Sequence, residues 1–304
     1  MSLRIGFDLG GTKMEAVVVD PQMKELHRMR RPTPKEDGYE AVVAGICGLI
    51  EDLEKECGES CYVGIGTPGA ISQVTGRMKN SNTLCLNDMP LKEAIEERLG
   101  KTVRMANDAN CFALSEAIDG AAAGKPIVFG VIIGTGVGGG LVINGRVREG
   151  LHGIAGEWGH NVLDGTGPKW FDGQHGPVEA YLCGGGLALL YENNGGEAGA
   201  NGKTVIEKMR AGDTAANKAF DEYIRRFGQA ICPLLHIVDP DAIVLGGGLS
   251  NVDEIYERLP EAVLANIFND EFKTPVVKNK WGDSGGVRGA ALLWSVEDMK
   301  ASGS

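Results

Sequence analysis

Hydrophobic and polar positions alternate in short runs near the start of the chain, where residues 5–9 and 16–19 have the pattern of two strands. The second run is β-branched and ends at Asp20-Pro21, which favours a strand over a helix. A glycine pair separates the two runs, so the pattern predicts a β-hairpin. A second run of this kind enters a Gly/Thr turn at 134–136 and leaves it at 141–143. Two such hairpins predict a duplicated fold with a nucleotide's phosphates between its halves.

Apolar residues at helical spacing predict helices between further strands along the chain, and this mixture predicts an α/β protein. The predicted helices are 39–57, 91–99, 109–118, 204–209, 217–238, 253–268 and 286–299, and further strands are expected at 27–31, 62–66, 102–105 and 242–245. The small, flexible segment 119–124 is the expected crossing between two domains. The predicted domains are 1–119, completed by the terminal helix 286–299, and 120–285.

The glycine turns carry the first candidate chemistry. Glycine lets backbone N–H groups approach an anion closely, and Thr12 and Lys13 add a hydroxyl and a positive charge beside the first turn. Asp8 stands where a hydrated Mg²⁺ could be held. An ordinary hairpin with a glycine turn is the alternative. The turns fit neither a P-loop nor a Rossmann fingerprint, because the first two lead into strands.

Polar residues at strand ends give further candidates. Asp108 follows a predicted strand and opens a helix, at the sheet edge where open α/β folds bind ligands. It is either a reactive carboxylate, a helix N-cap, or both. The turn containing Pro68 and Gly69 either contacts a ligand or is an ordinary Pro-Gly turn that ends the strand. The loop 153–161 crowds a carboxylate, an indole and an imidazole.

Composition restricts the partners. The 304 residues are 43% hydrophobic and 23% charged, which is ordinary for a folded protein of two domains. A net charge of −11 argues against nucleic acid or an anionic membrane as the main partner. Seven scattered cysteines suit free thiols in a reducing cytoplasm. We expect no signal peptide, because the N-terminus leads straight into a strand without a cationic segment and an apolar region, and no membrane span, because no apolar run approaches ~20 residues.

In combination these motifs resemble the ROK family of sugar kinases, over nearly the whole chain. The resemblance rests on residues 8–13, 106–110, 134–140, 156–160, 246–248 and 288–290. Residues 79–82 and 158–161 look more like the fructokinase (manno-/fructokinase) branch than the N-acetylglucosamine kinase branch. The resemblance implies a two-domain actin/hexokinase-like ATPase fold, made of duplicated ribonuclease H-like domains with an active-site cleft between them.

The resemblance also implies roles for individual residues. Asp108 would be the general base, and a helix N-terminus there is expected to keep its carboxylate charged. The expected sugar-binding residues are Pro68, Gly69, Asn82, Asn107, Asp108, Glu157, His160 and Glu179. The expected nucleotide-binding residues are Asp8, Gly10, Gly11, Thr12, Lys13, Gly134, Thr135, Gly136, Gly246, Gly247 and Gly248. ATP and Mg²⁺ would be required, with Asp8 on the Mg²⁺.

One part of the family pattern is missing. Many members carry a cysteine run that binds structural zinc together with the histidine of the Gly-His motif, but here the three cysteine positions are Trp170, Asp172 and Pro177. We therefore expect no structural zinc. Instead, Trp170, Phe171 and Pro177 are expected to form a small apolar cluster. A non-standard site made of His160, Asp172 and His175 is the alternative.

The sequence thus predicts a cytoplasmic kinase that transfers the ATP γ-phosphoryl group to a hexose, most simply to C6 of fructose. N-acetylglucosamine or N-acetylmannosamine is the alternative substrate. A sugar-responsive repressor on the same fold is disfavoured, because only four residues precede the first strand and such proteins need a helix-turn-helix segment. A non-catalytic assembly protein would not need Asn107-Asp108 together with Glu157 and His160. Oligomeric state is open, with a homodimer as one candidate.

Overall fold

A computed structural model describes residues 2–302 of the protein. The strands are β1 (Arg4–Leu9), β2 (Lys13–Val19), β3 (Glu25–Pro32), β4 (Tyr62–Thr67), β5 (Ala70–Ile71), β6 (Met78–Lys79), β7 (Val103–Asn107), β8 (Ile127–Ile133), β9 (Val137–Ile143), β10 (Arg146–Val147), β11 (Ala242–Gly246) and β12 (Val276–Lys278). The α-helices are α1 (Tyr39–Cys57), α2 (Leu91–Leu99), α3 (Asp108–Ile118), α4 (Val178–Leu182), α5 (Gly184–Asn193), α6 (Gly202–Arg210), α7 (Thr214–Val238), α8 (Asp253–Leu264), α9 (Gly285–Leu292) and α10 (Val296–Ser302).

The chain divides into two compact units. The first contains the residues up to Ile118, Gly145–Ala155 and the residues from Asp283 onward, and the second contains Asp119–Asn144 and Gly156–Gly282. The segment 145–155, which the sequence analysis counted with the second domain, lies with the first unit. The predicted boundaries themselves stay a prediction.

The sheets of the two units follow the same plan. In the first unit the order is β3-β2-β1-β4-β7, with β1 antiparallel to β2 and parallel to β4, which is in turn parallel to β7. In the second unit β9, β8, β11 and β12 lie in that order, with β8 antiparallel to β9, parallel to β11, and β11 parallel to β12. Each sheet therefore begins with a hairpin and continues with parallel strands, as expected for a duplicated α/β fold.

Each unit has its own hydrophobic core. In the first unit, α1 lays the buried face formed by residues such as Val42, Ile46 and Leu49 against the sheet. In the second, the 25-residue helix α7 buries Phe220, Tyr223 and Phe227 in the centre of the core. The α7 helix begins at an Asp213 N-cap, whose side chain accepts a hydrogen bond from the Ala216 N–H at 2.8 Å.

Helix α9 packs directly on the first sheet because glycines leave no side chain in the way. A Cβ at Gly6 on β1 would collide with the Val287 carbonyl oxygen, and one at Gly64 on β4 would collide with that of Ala290. A Cβ at Gly289 would collide in the same way with the Cys111 carbonyl of α3. Backbone-to-backbone packing of this kind ties the last helices of the chain to its first strand.

Two sequence expectations fail here. The single terminal helix 286–299 is wrong, because the chain breaks between α9 and α10, where the Ser295 hydroxyl bonds the Asp298 carboxylate at 2.6 Å and accepts the Asp298 N–H at 3.1 Å. Such side-chain competition with the backbone is typical of a new helix start. The short parallel strand β12 was also missed. Over residues 2–302, the helices are too short or too polar to span a bilayer.

Candidate active site

The first unit gathers its candidate residues at one sheet edge. Because β1, β4 and β7 are parallel, their carboxyl ends meet there, and the register pairs Asp8 with Gly66 and Thr67 with Asn107. Asp108 follows at once as the first residue of α3. This is the edge at which open α/β sheets bind ligands.

Asp108 is positioned by the start of its own helix. The Ala109 N–H lies 2.7 Å from Asp108 Oδ1 and also donates to Asn107 Oδ1 at 2.9 Å. Solvent reaches the Asp108 side chain, but protein surrounds it on most sides, and the resulting loss of hydration raises its pKa. The hydrogen bonds from Ala109 and Asn107 oppose this shift without cancelling it. The helix N-terminus thus lowers the pKa of Asp108, but burial has the larger effect, and the expectation that this carboxylate stays charged remains a prediction.

Asp8 shares this electrostatic environment. Burial raises its pKa to about 6, with further contributions from the negative charges of Asp108 and Glu15. The first turn of α9 lies beside it, since a Cβ at Gly286 would be 3.8 Å from Asp8 Cγ. The Asp8 carboxylate, close enough to feel the charge of Asp108, offers oxygen atoms of the kind that Mg²⁺ prefers as ligands.

The first glycine turn is formed as predicted, but Lys13 is engaged elsewhere. The Gly10 N–H donates to the Lys13 carbonyl at 3.0 Å and closes the hairpin, leaving Gly11 and Thr12 in the turn. The Lys13 ammonium lies 3.2 Å from a Glu15 carboxylate oxygen. Glu15 also pairs with Arg28 and, at 2.9 Å, with Arg30.

This cation cluster around Glu15 was not found from sequence. Burial alone would raise the pKa of Glu15, yet hydrogen bonds from Arg30 and Lys13 bring it below its usual value. One buried carboxylate thus holds three cationic side chains, Lys13, Arg28 and Arg30, beside the first hairpin. The alternation of charge along β2 and β3 was the available signal, since facing residues of antiparallel strands pair across the sheet.

The other sugar-binding candidates of the first unit occupy two places. Pro68 and Gly69 form the turn after β4, and a Cβ at Gly69 would lie 2.9 Å from the Ser81 nitrogen, so this glycine is required for packing. Thr67 Oγ1 donates to the Gly69 carbonyl at 2.8 Å. Asn82 is exposed beside the first hairpin, with its Oδ1 3.9 Å from a Cβ built on Gly11.

The second unit brings its two glycine clusters together. The turn Gly134-Thr135-Gly136 ends β8, and Gly246-Gly247-Gly248 ends the adjacent parallel strand β11. A Cβ at Gly134 would lie 3.8 Å from the Gly248 nitrogen. Gly247 has a φ of 80° and packs against the Ile133 backbone, which requires glycine. Exposed Thr135 and backbone N–H groups at this edge are suited to phosphate oxygens.

Glu179 is held between the second hairpin and the loop that precedes it. Its Oε2 accepts the Val137 N–H at 2.8 Å, and its Oε1 accepts the Trp170 indole N–H at 2.8 Å. Both carboxylate oxygens therefore already accept a hydrogen bond from the protein. This arrangement assigns Glu179 a structural role, and any sugar contact would use its remaining lone pairs.

The half-exposed His160 lies between two carboxylates. Its Nε2 is 3.9 Å from Glu157 Oε2 and its Nδ1 is 3.5 Å from Asp172 Oδ2. The Gln174 N–H holds the pKa of Asp172 below its usual value, and His160 adds to this effect. The two ring nitrogens of His160 therefore each face a carboxylate, one from Glu157 and one from Asp172.

The residues at the family's zinc positions do not fit zinc. Trp170 and Pro177 offer no ligand, and His175 Nδ1 lies 3.0 Å from the Gly167 carbonyl. Within residues 2–302 no three acidic, histidine or cysteine side chains form a metal-binding group. The expected apolar cluster forms only in part: the Trp170 and Phe171 rings lie 5.8 Å apart, but Phe171 is 77% exposed. Two of the positions that are zinc-binding cysteines in many family members make polar contacts instead: Trp170 with Glu179, and Asp172 with His160.

Comparisons with known proteins agree on the family and correct the branch. The model of the ROK family matches residues 4–297. The N-acetyl-D-glucosamine kinase of Pasteurella multocida is 40% identical, over 96% of this chain and 99% of its own. The closeness to fructokinase that residues 79–82 and 158–161 suggested is therefore not supported.

Two solved structures share the fold. The ROK hexokinase of Thermus thermophilus has a TM-score of 0.88 and 32% identity, covering 98% of this chain and 99% of its own. The ROK family glucokinase of Streptomyces griseus, solved with glucose and AMPPNP, has a TM-score of 0.76 and 29% identity, covering 96% and 99%. The two-domain actin/hexokinase-like architecture predicted from sequence is thereby confirmed.

Proposed function

This chain belongs to the ROK family of sugar kinases, and we propose that it transfers the γ-phosphoryl group of ATP to the C6 hydroxyl of an N-acetylated hexosamine, first of all N-acetylglucosamine. That it is a sugar kinase follows from the family and from relatives that match it end to end. The choice of sugar is supported by the 40% identity to a kinase of N-acetyl-D-glucosamine.

The single observation that carries the mechanism is the position of Asp108. Its carboxylate stands at the end of β7 and the start of α3, next to Asn107, with a pKa raised by the surrounding protein. A raised pKa makes a carboxylate a stronger base near neutral pH. Asp108 takes the proton of the attacking hydroxyl, while Ala109 N–H holds one carboxylate oxygen in place.

The remaining residues position substrates. Asn107, Glu157 and His160 would offer amide, carboxylate and imidazole partners for sugar hydroxyls, and the glycine turns at 10–12, 134–136 and 246–248 would bind the nucleotide. Asp8 would hold Mg²⁺, and the negative charge of Asp108 lies close enough to raise the pKa of Asp8. When bound, Mg²⁺ neutralises charge on the phosphate oxygens. Glu179 supports the second hairpin through Val137.

A substrate panel tests the proposal. Purified protein is assayed with ATP and Mg²⁺ against N-acetylglucosamine, N-acetylmannosamine, glucose, mannose and fructose, and the phosphorylated carbon is located by phosphorus NMR. We expect the highest kcat/KM with N-acetylglucosamine and phosphate on C6. A higher kcat/KM with fructose or another unacylated hexose would contradict the sugar assignment while leaving the kinase assignment intact.

A further inference from the structure

A cavity of about 280 Å³ lies within the first unit, beside the strand end that carries the sugar-binding candidate Asn107. Since ~10–15 Å³ of such free volume already admits one water, the cavity is much larger than a packing defect. Its lining combines apolar side chains, among them Ala70, Ile71 and Met105, with polar ones, among them Asn107, Asn110, Glu149 and Lys92.

Asn110 is the unusual member of this lining. It lies in the first turn of α3, is only 8% exposed, and its Oδ1 has no hydrogen-bond partner among residues 2–302. Buried side-chain amides in folded proteins nearly always have partners. A half-turn of the carboxamide exchanges its oxygen and its NH₂, so this side chain can accept or donate toward the cavity. A bound group with amide chemistry would supply the missing partner.

The other lining residues restrict what that group can be. Glu149 is half-buried, and its burial raises the pKa, with Lys92 opposing the shift from nearby. Lys92 lines the same cavity, so the wall carries one acidic and one basic side chain, and this balance favours a neutral ligand group over a phosphate or a carboxylate. Ile71 and Met105 offer apolar surface that suits a short alkyl group. One donor, one acceptor and a short alkyl chain together describe an acylamido group.

We propose that this cavity receives the acylamido substituent of the sugar, with the Asn110 carboxamide paired to the amide of that substituent. The inference rests on the proposed function. It places a sugar substituent here rather than an independent ligand because Asn107 belongs both to the cavity wall and to the Asn107-Asp108 pair at the reaction site. The volume exceeds that of an acetyl group, so longer N-acyl chains also fit.

The first experiment uses the wild-type protein and an acyl series. Dissociation constants for N-acetyl-, N-propanoyl- and N-butanoylglucosamine are measured by calorimetry. We expect the three to agree within about threefold, because the cavity has room for the added methylenes. A loss of more than about tenfold from acetyl to propanoyl would overturn the proposal, since a tight pocket elsewhere would then hold the acetyl group.

The second experiment tests Asn110 itself. Asn110→Ala should lower the ratio of kcat/KM for N-acetylglucosamine to that for glucose about tenfold, as expected for the loss of one hydrogen bond to the acylamido group. Ser115→Ala is the matched control, because Ser115 is a buried polar residue of the same helix that does not line the cavity. An unchanged ratio in Asn110→Ala would reject the pairing.

A cavity-filling variant provides a test that does not depend on correct folding of the Asn110→Ala variant. Ala70→Leu should weaken binding of N-butanoylglucosamine more than that of N-acetylglucosamine, and equal effects on both would count against the cavity. The proposed function fails separately, through poor phosphorylation of N-acetylglucosamine by the wild type. Good phosphorylation combined with an unchanged Asn110→Ala ratio would reject this inference alone.

Discussion

The candidate-site carboxylates Asp8 and Asp108 of the first unit differ in electrostatic environment from Glu157 and Asp172 of the second. In the first unit Asp8 and Asp108 are crowded by protein, and both pKa values are raised, that of Asp8 to about 6. In the second unit Glu157 is 40% exposed beside His160, and the pKa of Asp172 is lowered. The first environment suits a carboxylate that must take up a proton or hold a cation. The second suits carboxylates that stay ionised and accept hydrogen bonds from hydroxyl groups.

The largest expected effect belongs to the first region. Asp108→Asn should lower kcat roughly 10²–10⁴-fold, because the amide cannot accept the hydroxyl proton, while sugar and ATP binding change little. Steady-state kinetics and calorimetric binding measure the two parts. Asp213→Asn is the matched control, since Asp213 is also an acidic residue at a helix start but caps α7 in the second unit. Near wild-type turnover in Asp108→Asn would make Asp108 only a helix cap.

The second region should respond in KM. Glu157→Ala should raise the sugar KM roughly 10- to 100-fold and the ATP KM far less, because a hydrogen bond to a charged group is worth ~1.5–3 kcal/mol. The exposed Glu207→Ala on α6 serves as the control. Equal losses for both substrates would indicate a folding defect and would remove Glu157 from sugar recognition.

The crowding of Asp8 also predicts how stability depends on pH. Folding raises its pKa from 3.8 to about 6, so the folded state holds this proton more tightly than the unfolded chain. The contribution of Asp8 to stability is therefore greatest below about pH 4 and falls as the pH rises through about 6. Compared with wild type, Asp8→Asn should gain more free energy of unfolding at about pH 7.5 than at about pH 4.5 in urea titrations.

The exposed Asp270→Asn provides the baseline for that measurement. If Asp8→Asn and Asp270→Asn show the same pH dependence, Asp8 is not held in an environment that penalises its charge. The contrast between the two units would then rest on Asp108 alone.

A smaller effect, on the free energy of unfolding, is expected from the hydrogen bond between Trp170 and Glu179 in the second unit. Trp170→Phe removes the 2.8 Å indole hydrogen bond to Glu179 and should lower the free energy of unfolding by about 1–2 kcal/mol. Phe171→Leu should change it little, because that ring is mostly exposed. The reverse order of effects would restore the apolar cluster expected from sequence.

The smallest effect is expected from chelation. Elemental analysis should find well under one zinc per chain, and a strong chelator should not lower the melting temperature, because the donor set near His160 does not suit zinc. Stoichiometric zinc whose removal abolishes activity would overturn this prediction. Asp172 and His175 would then be the first residues to test as ligands.

The fold was largely predictable because its signals are local. The spacing of apolar residues predicts the helix 39–57, and turn residues predict the hairpins around Gly10 and Gly134. The structure has α1 and both hairpins at these places. The packing of α9 on Gly6 and Gly64 could not be predicted, since it joins residues more than 200 positions apart in the chain. Contacts of that range leave no periodic pattern.

The candidate site was predictable in its residues but not in its electrostatics. Sequence placed Asp108 at a strand end, yet its pKa depends on how much protein surrounds it, which only the folded chain determines. The hydrogen bonds of Glu179 with Val137 and Trp170 likewise depend on a loop conformation. Asn110 lies inside the motif 106–110 that carries part of the family resemblance, but its missing partner becomes visible only when the neighbouring side chains are in place.

The packing of α9 against β1 has a consequence for how the protein is made. Synthesis on the ribosome delivers β1 first and α9 only after the whole second unit, so the sheet of the first unit must wait for its covering helix. The second unit, a nearly continuous stretch of chain, can complete its core earlier. Gly6 and Gly64 meanwhile leave a bare stripe of backbone on the nascent sheet, and a chain truncated before Gly285 would carry that stripe uncovered for its lifetime.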